Sequence, residues 1–197
     1  MIHGSAENFA IESGITEAYP ELGSRALGYF VLHIGGERYG VLAPDASLLA
    51  CSLGTVEGTT LHRGGHLAPF FRGYEGGAIA DAFRDAVYAP DQEETRFFGM
   101  SRTEFVDRVY SNHLVWAPDG DEAFDDGSYV LRIDDGAQVR LIGFRSGDAF
   151  HHDPESLRDL TISADNYYAV LSGWRDAFLA EWRARVAEIR PQNALPG

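Results

Sequence analysis

Residues 8–16, NFAIESGIT, set Phe9, Ile11, Ser13 and Ile15 on one side of an extended chain and Ala10, Glu12, Gly14 and Thr16 on the other. That is the two-residue period of a strand with one buried face. Tyr19 to Ser24 reads as a turn. LGYFVLHIGGERYGVL follows, two β-rich runs split by Gly35-Gly36. A glycine pair accepts the positive φ angles of a primed turn, so residues 27–42 are expected to form a β-hairpin. Phe30, Leu32 and Ile34 share one face; Tyr29, Val31 and His33 share the other, where His33 reads as a half-buried sheet residue.

The pattern weakens between residues 43 and 78. Ser47 to Leu53 fits a short helix or a strand equally well, and repeated glycines punctuate the rest. Residues 79–88 place Ile79, Ala82, Phe83, Ala86 and Val87 along a helical face, stopped by Pro90. Ser101-Arg102-Thr103-Glu104 matches a capping box and predicts a helix burying Phe105 and Val109. Leu114-Val115-Trp116 reads as a short strand ended by Ala117-Pro118-Asp119-Gly120.

Residues 128–134 and 138–144 alternate as a second hairpin around Asp134-Asp135-Gly136-Ala137. A loop is expected over 145–162, after which Ser163 caps a helix running to about 189. Tyr167, Val170, Leu171, Trp174, Phe178, Trp182, Val186 and Ile189 form its apolar stripe, which needs a sheet to pack against. These elements predict an α+β fold. A mainly antiparallel sheet packs against helices, including a long C-terminal one, in a single domain over 1–197.

Composition supports a packed core: 197 residues, 45% hydrophobic, with twelve Phe, nine Tyr and three Trp. A single Cys51 excludes an internal disulfide, and its setting in Leu48-Leu49-Ala50-Cys51 predicts a buried thiol. No apolar run reaches the roughly 18 residues of a membrane span. MIHGSAENFAIESG has neither a basic nor an apolar segment of the secretory kind. A cytoplasmic location is therefore expected, with no membrane partner.

Thirty acidic against sixteen basic side chains give a formal net charge of -14. That field repels a phosphate backbone and attracts a basic protein, so direct nucleic-acid binding is disfavoured. The acids concentrate around the second hairpin. Asp119, Asp121, Glu122, Asp125, Asp126, Asp134 and Asp135 face a single cation, Arg132, between residues 117 and 135. Two readings compete: an ordinary solvated surface, or a face presented to a basic partner. In the second, Trp116, Phe124 or Tyr129 would serve as less polar anchors.

Catalytic signals are weak. His62 and His66 have an i,i+4 spacing, but glycines interrupt it and the glutamate of the zinc-protease motif is missing. His151-His152-Asp153, near Glu155, is the better metal candidate if further ligands converge; a hydrated loop is the plainer reading. GYEGGA at 73–78 lacks the spacing and lysine of a phosphate loop. Ser101 has a capping role. Paired acids such as Glu93-Glu94 and Asp125-Asp126 coat loops unless their geometry is held. No cofactor or enzymatic activity is expected.

The opening MIHGSAENFAIESGI, the hairpin YFVLHIGGERYG, and FDDGSYVLRIDDGAQVRLIGF with the later YYAVLSGWRDAFLAEW resemble the bacterial immunity protein 42 family. The resemblance starts at residue 1 and is strongest from about 113 to 182. It implies a cytoplasmic antidote of a polymorphic toxin system that binds and neutralises a cognate toxin by occluding it. Asp125, Asp126, Gly127, Tyr129 and Arg140 lie in the resembling segment, and no functional role carries over to any of them. The rival readings are a small metal-dependent hydrolase using His151, His152 and Asp153, and a scaffold subunit.

Overall fold

The computed structural model describes residues 1–20, 23, 25–90 and 95–189. Glu93-Glu94 and part of the turn at 19–24 lie outside the described residues. Among the described residues, the chain forms an α+β fold of two antiparallel sheets and four α-helices.

The first sheet contains β1 (Ile2–Gly4), β2 (Phe9–Ala18), β3 (Ala26–Ile34) and β4 (Glu37–Tyr39) in that spatial order. A short β5 (Ser47–Leu48) pairs with the start of β3. The expected first hairpin is present, and Gly35 and Gly36 turn it at φ of 56° and 80°. His33 is partly buried and meets Glu12 Oε2 at 2.9 Å from its Nε2.

The second sheet has the order β6 (Val115–Ala117), β7 (Ser128–Asp135), β8 (Gln138–Arg145) and β9 (Arg158–Ser163). β7 and β8 pair from Ser128↔Arg145 to Asp135↔Gln138. All of β9 but Ser163 lies within the stretch expected to be loop. Its alternation, Leu160 and Ile162 against polar neighbours, is short and half exposed, so it carries little hydrophobic signal.

Both faces of this second sheet are buried. Val130, Val139 and Leu141 join a core with Phe9, Phe30, Trp116, Tyr167 and Trp174. Leu131, Ile133, Ile142 and Phe144 join another with Phe71, Phe83, Phe105 and Val109. The sheet is thus a middle layer. The first sheet, α1 (Leu49–Leu61) and α4 (Ala164–Ile189) supply one cover; α2 (Gly76–Tyr88) and α3 (Arg102–Ser111) supply the other.

The undecided segment at 47–53 is both things in turn: the strand β5 hands over to α1 at Leu48–Leu49. Helix α1 buries Leu49, Ser52, Leu53, Val56 and Thr59. That spacing rotates Cys51 to the opposite side, and the thiol is exposed, contrary to the expectation from its apolar neighbours. Partial burial and the carboxylates of Asp121 and Asp119 still push its pKa up.

GYEGGA acquires a structural account. Helix α2 begins at Gly76, whose N–H donates to Asp159 Oδ2 at 3.0 Å. A Cβ there would lie 2.6 Å from that oxygen, so the carboxylate can seat on the helix N-terminus only because the residue is glycine. Ser101 caps α3 by accepting from the Glu104 N–H at 3.3 Å, while the Glu104 carboxylate pairs with Arg108 at 2.8 Å. Ser163 Oγ accepts from the Asn166 N–H at 3.2 Å at the start of α4. The aromatic stripe of α4 packs as expected, with Trp174 Nε1 donating to Ser13 Oγ at 2.8 Å.

Candidate functional site

The seven carboxylates around β7 do not form one patch. Asp119 to Asp126 precede the strand, whereas Asp134 and Asp135 end it, and eight extended residues separate the groups by about 24 Å. Asp134 is 5% exposed. It accepts from the His66 N–H at 3.1 Å and from the Tyr168 hydroxyl at 3.0 Å, while its own N–H donates to His66 O at 2.8 Å. Asp134 is therefore an internal fastening and is removed from the candidate surface. Asp135 is exposed and lies 3.6 Å from Arg72 in an ion pair at the hairpin tip.

The loop at 118–127 follows a cis Ala117–Pro118 peptide and is tied to the first sheet by its acids. Helix α1 has no acidic residue in its first turn and no side-chain cap of its own. Asp121 supplies one from across the fold. It accepts from Ser47 Oγ at 2.6 Å and approaches the Leu48 N–H at 3.4 Å, where a negative charge complements the helix dipole. Asp119 meets Thr55 Oγ1 at 3.5 Å; burial, and then the neighbouring Asp121, raise its pKa. Asp126 accepts from the Ser128 N–H at 3.1 Å and the Gly40 N–H at 3.2 Å, and lies 3.7 Å from Arg145.

Two predicted anchors are elsewhere. Trp116 is 0% and Phe124 3% exposed, because β6 and the turn after it enter the first core. Neither ring stands on the surface as an apolar anchor. Two leucines that the sequence did not single out are exposed beside the loop instead. Leu42 and Leu48 are 46% and 45% exposed. Leu42 follows Val41, whose N–H donates to Ala123 O at 2.7 Å; Leu48 is the residue held by Asp121. Both therefore flank the loop that carries exposed Glu122 and Asp125. Nothing in a leucine's sequence context distinguishes these exposed positions from core ones.

The histidine motifs resolve locally. His152 Nδ1 lies 2.7 Å from Asp81 Oδ1, which also accepts the His152 N–H at 2.9 Å. Burial raises the Asp81 pKa, but these hydrogen bonds outweigh it and leave the carboxyl below its ordinary value. The Asp153 side chain accepts from the Glu155 N–H at 3.1 Å. His66 is buried beside Asp134, and its ring packs 6.5 Å from that of His62. Among the described residues, no group of three His, Cys, Asp or Glu side chains converges to hold a metal ion.

Comparison with known families matches residues 1–177 to immunity protein 42. The chain belongs to that family. As an immunity protein it neutralises a toxin. No curated protein matches it. Among solved structures, CdiI from Burkholderia dolosa AUO158 is similar, with a TM-score of 0.53 and 15% sequence identity. The match covers 92% of this immunity protein and 99% of that chain, and at this identity it shows a shared fold. Among the described residues, no helix is long and apolar enough to cross a membrane.

Proposed function

We propose that the immunity protein acts in the cytoplasm as a non-enzymatic inhibitor. It occludes a basic cognate toxin with the face built from Leu42, Leu48 and the loop at 119–126. The observation that supports this reading is the pairing of two exposed leucines with a ring of carboxylates whose backbone is already fixed. Apolar anchors inside a polar rim are the usual anatomy of a binding surface. Asp119, Asp121 and Asp126 accept hydrogen bonds that hold the loop, leaving Glu122 and Asp125 free to meet cations. A loop ordered before binding spares the complex part of its entropic cost. The surplus of negative charge speeds the approach of a basic toxin. CdiI from Burkholderia dolosa shares the fold and is consistent with this assignment.

Co-expression with the toxin domain encoded beside it tests the face. Cells carrying wild-type protein survive. Cells carrying Leu42→Ser, Leu48→Ser, Glu122→Lys and Asp125→Lys together are expected to die, although the variant is folded by circular dichroism. Full protection by that folded variant would reject the face.

A further inference from the structure

A cavity of about 410 Å³ adjoins this face between α1, α3 and the edge of the second sheet. Its lining includes Thr55, His62, His113, Trp116, Asp119 and Arg132. Arg132 is 5% exposed, and among the described residues neither its Nε nor its Nη1 has a hydrogen-bond partner. Trp116 is fully buried, and its Nε1 also lacks an acceptor among the described residues. The guanidinium carbon lies 5.5 Å from the centre of the Trp116 ring, and both residues belong to the wall of this cavity.

The neighbouring carboxylate does not answer them. Asp134 is engaged with His66 and Tyr168, and no ion pair joins it to Arg132 among the described residues. An arginine stays charged under nearly all conditions, and burying its N–H groups without acceptors is expensive. An acceptor that brings one negative charge into the cavity would relieve that cost and satisfy the indole at once.

We propose that this cavity is a carboxylate-binding site, with Arg132 and the Trp116 Nε1–H as its recognising donors. A singly charged carboxylate fits better than phosphate, because Arg132 is the one arginine in the lining among the described residues and Asp119 opposes a second negative charge. The source favoured by the physics is an acidic side chain of the toxin. The formal charge of -14 repels free anions, whereas a side chain delivered by a docked protein draws on the contacts around it. Asp119 and Thr55 link the cavity to the proposed face. The toxin as source rests on the occlusion reading; the site's chemistry does not.

The test is an NMR titration of the full chain with sodium acetate, sodium phosphate or sodium chloride at matched ionic strength. The Arg132 Nε–H and Trp116 Nε1–H resonances report. Acetate is expected to shift both saturably with one midpoint, phosphate less, and chloride not at all. Arg132→Met should abolish the Trp116 response; should that variant fail to fold, the two wild-type resonances decide the matter. No saturable acetate shift, or a stronger response to phosphate, would overturn the assignment.

A second arm adds the toxin domain. Both resonances are expected to move in the complex and to stop responding to acetate. A complex that leaves the acetate response intact assigns the site to a free carboxylate and removes the toxin as source. Failure of any complex to form counts against occlusion and leaves the acetate result standing.

Discussion

Asp125 and Asp134 flank the same strand and contribute equally to the acidity of their segment, yet they do opposite things. Asp125 faces solvent before β7, where a partner can reach it. Asp134 ends the strand inside the fold, holding the His66 backbone and the Tyr168 hydroxyl. The difference comes from what lies over each end. The buried end has the α4 aromatics and the segment around His66 above it; the exposed end continues into a loop at the margin of the first sheet. Local charge density therefore measures neither a surface nor an interface.

The sharpest way to break this comparison is to remove each carboxylate. Asp134→Ala leaves the His66 N–H and Tyr168 hydroxyl without their acceptor and is expected to cost about 3 kcal/mol in urea unfolding. Asp125→Ala should stay within about 0.5 kcal/mol of wild type. Equal costs would show that the two ends are not distinct.

Asp121 tests the intermediate case, an aspartate that is partly exposed yet structural. Asp121→Ala removes the acceptor for Ser47 and the charge at the start of α1, for an expected loss of about 1.5 kcal/mol. A neutral result would deny that this loop carboxylate caps α1.

For the exposed end, Glu122→Lys with Asp125→Lys should weaken toxin binding by about tenfold at low salt, equivalent to about 1.4 kcal/mol, and by less at high salt. Asp126 is left unchanged because its bonds to Gly40 and Ser128 would confuse loss of charge with loss of loop structure. An ionic-strength series on folded proteins reads the effect; identical affinities throughout would remove these charges from the interface.

The smallest effect concerns the buried end. Burial first, and then the Arg132 charge, lower the pKa of His66 below the ordinary 6.5. The unfolded chain then binds more protons, so this stability is present above pH 6.5 and lost as pH falls from there toward the lowered folded value. Between pH 7 and pH 6 the loss should be at most about 0.7 kcal/mol. His66→Gln should remove that component from the stability profile; an unchanged slope would contradict it.

Much of the fold was legible where a strand or helix buries one face and ends in distinctive chemistry. The Gly35-Gly36 hairpin, the Ser101 cap and the α4 stripe are such cases. Helix α1 was obscured by Gly54, Thr55, Gly58, Thr59 and Thr60, poor helix formers held by tertiary contacts and by Asp121 from a distant loop. Cys51 was misplaced because the strand-to-helix change at Leu48–Leu49 rotates the buried face within an apolar run. The candidate site was less legible still. Its carboxylates could be named, but their division between two ends, the burial of Trp116 and Phe124, and the exposure of Leu42 and Leu48 depend on which layers cover them. Arg132 was visible only as one cation among acids; its cavity is a product of the whole fold.

The most direct test of occlusion is the amide hydrogen-exchange footprint of the toxin complex. Slowed exchange relative to the free protein is expected at residues 41–48 and 119–126, beyond the protection the loop already has. Protection confined to the α2–α3 side, with those two segments unchanged in a complex that neutralises the toxin, would contradict the account.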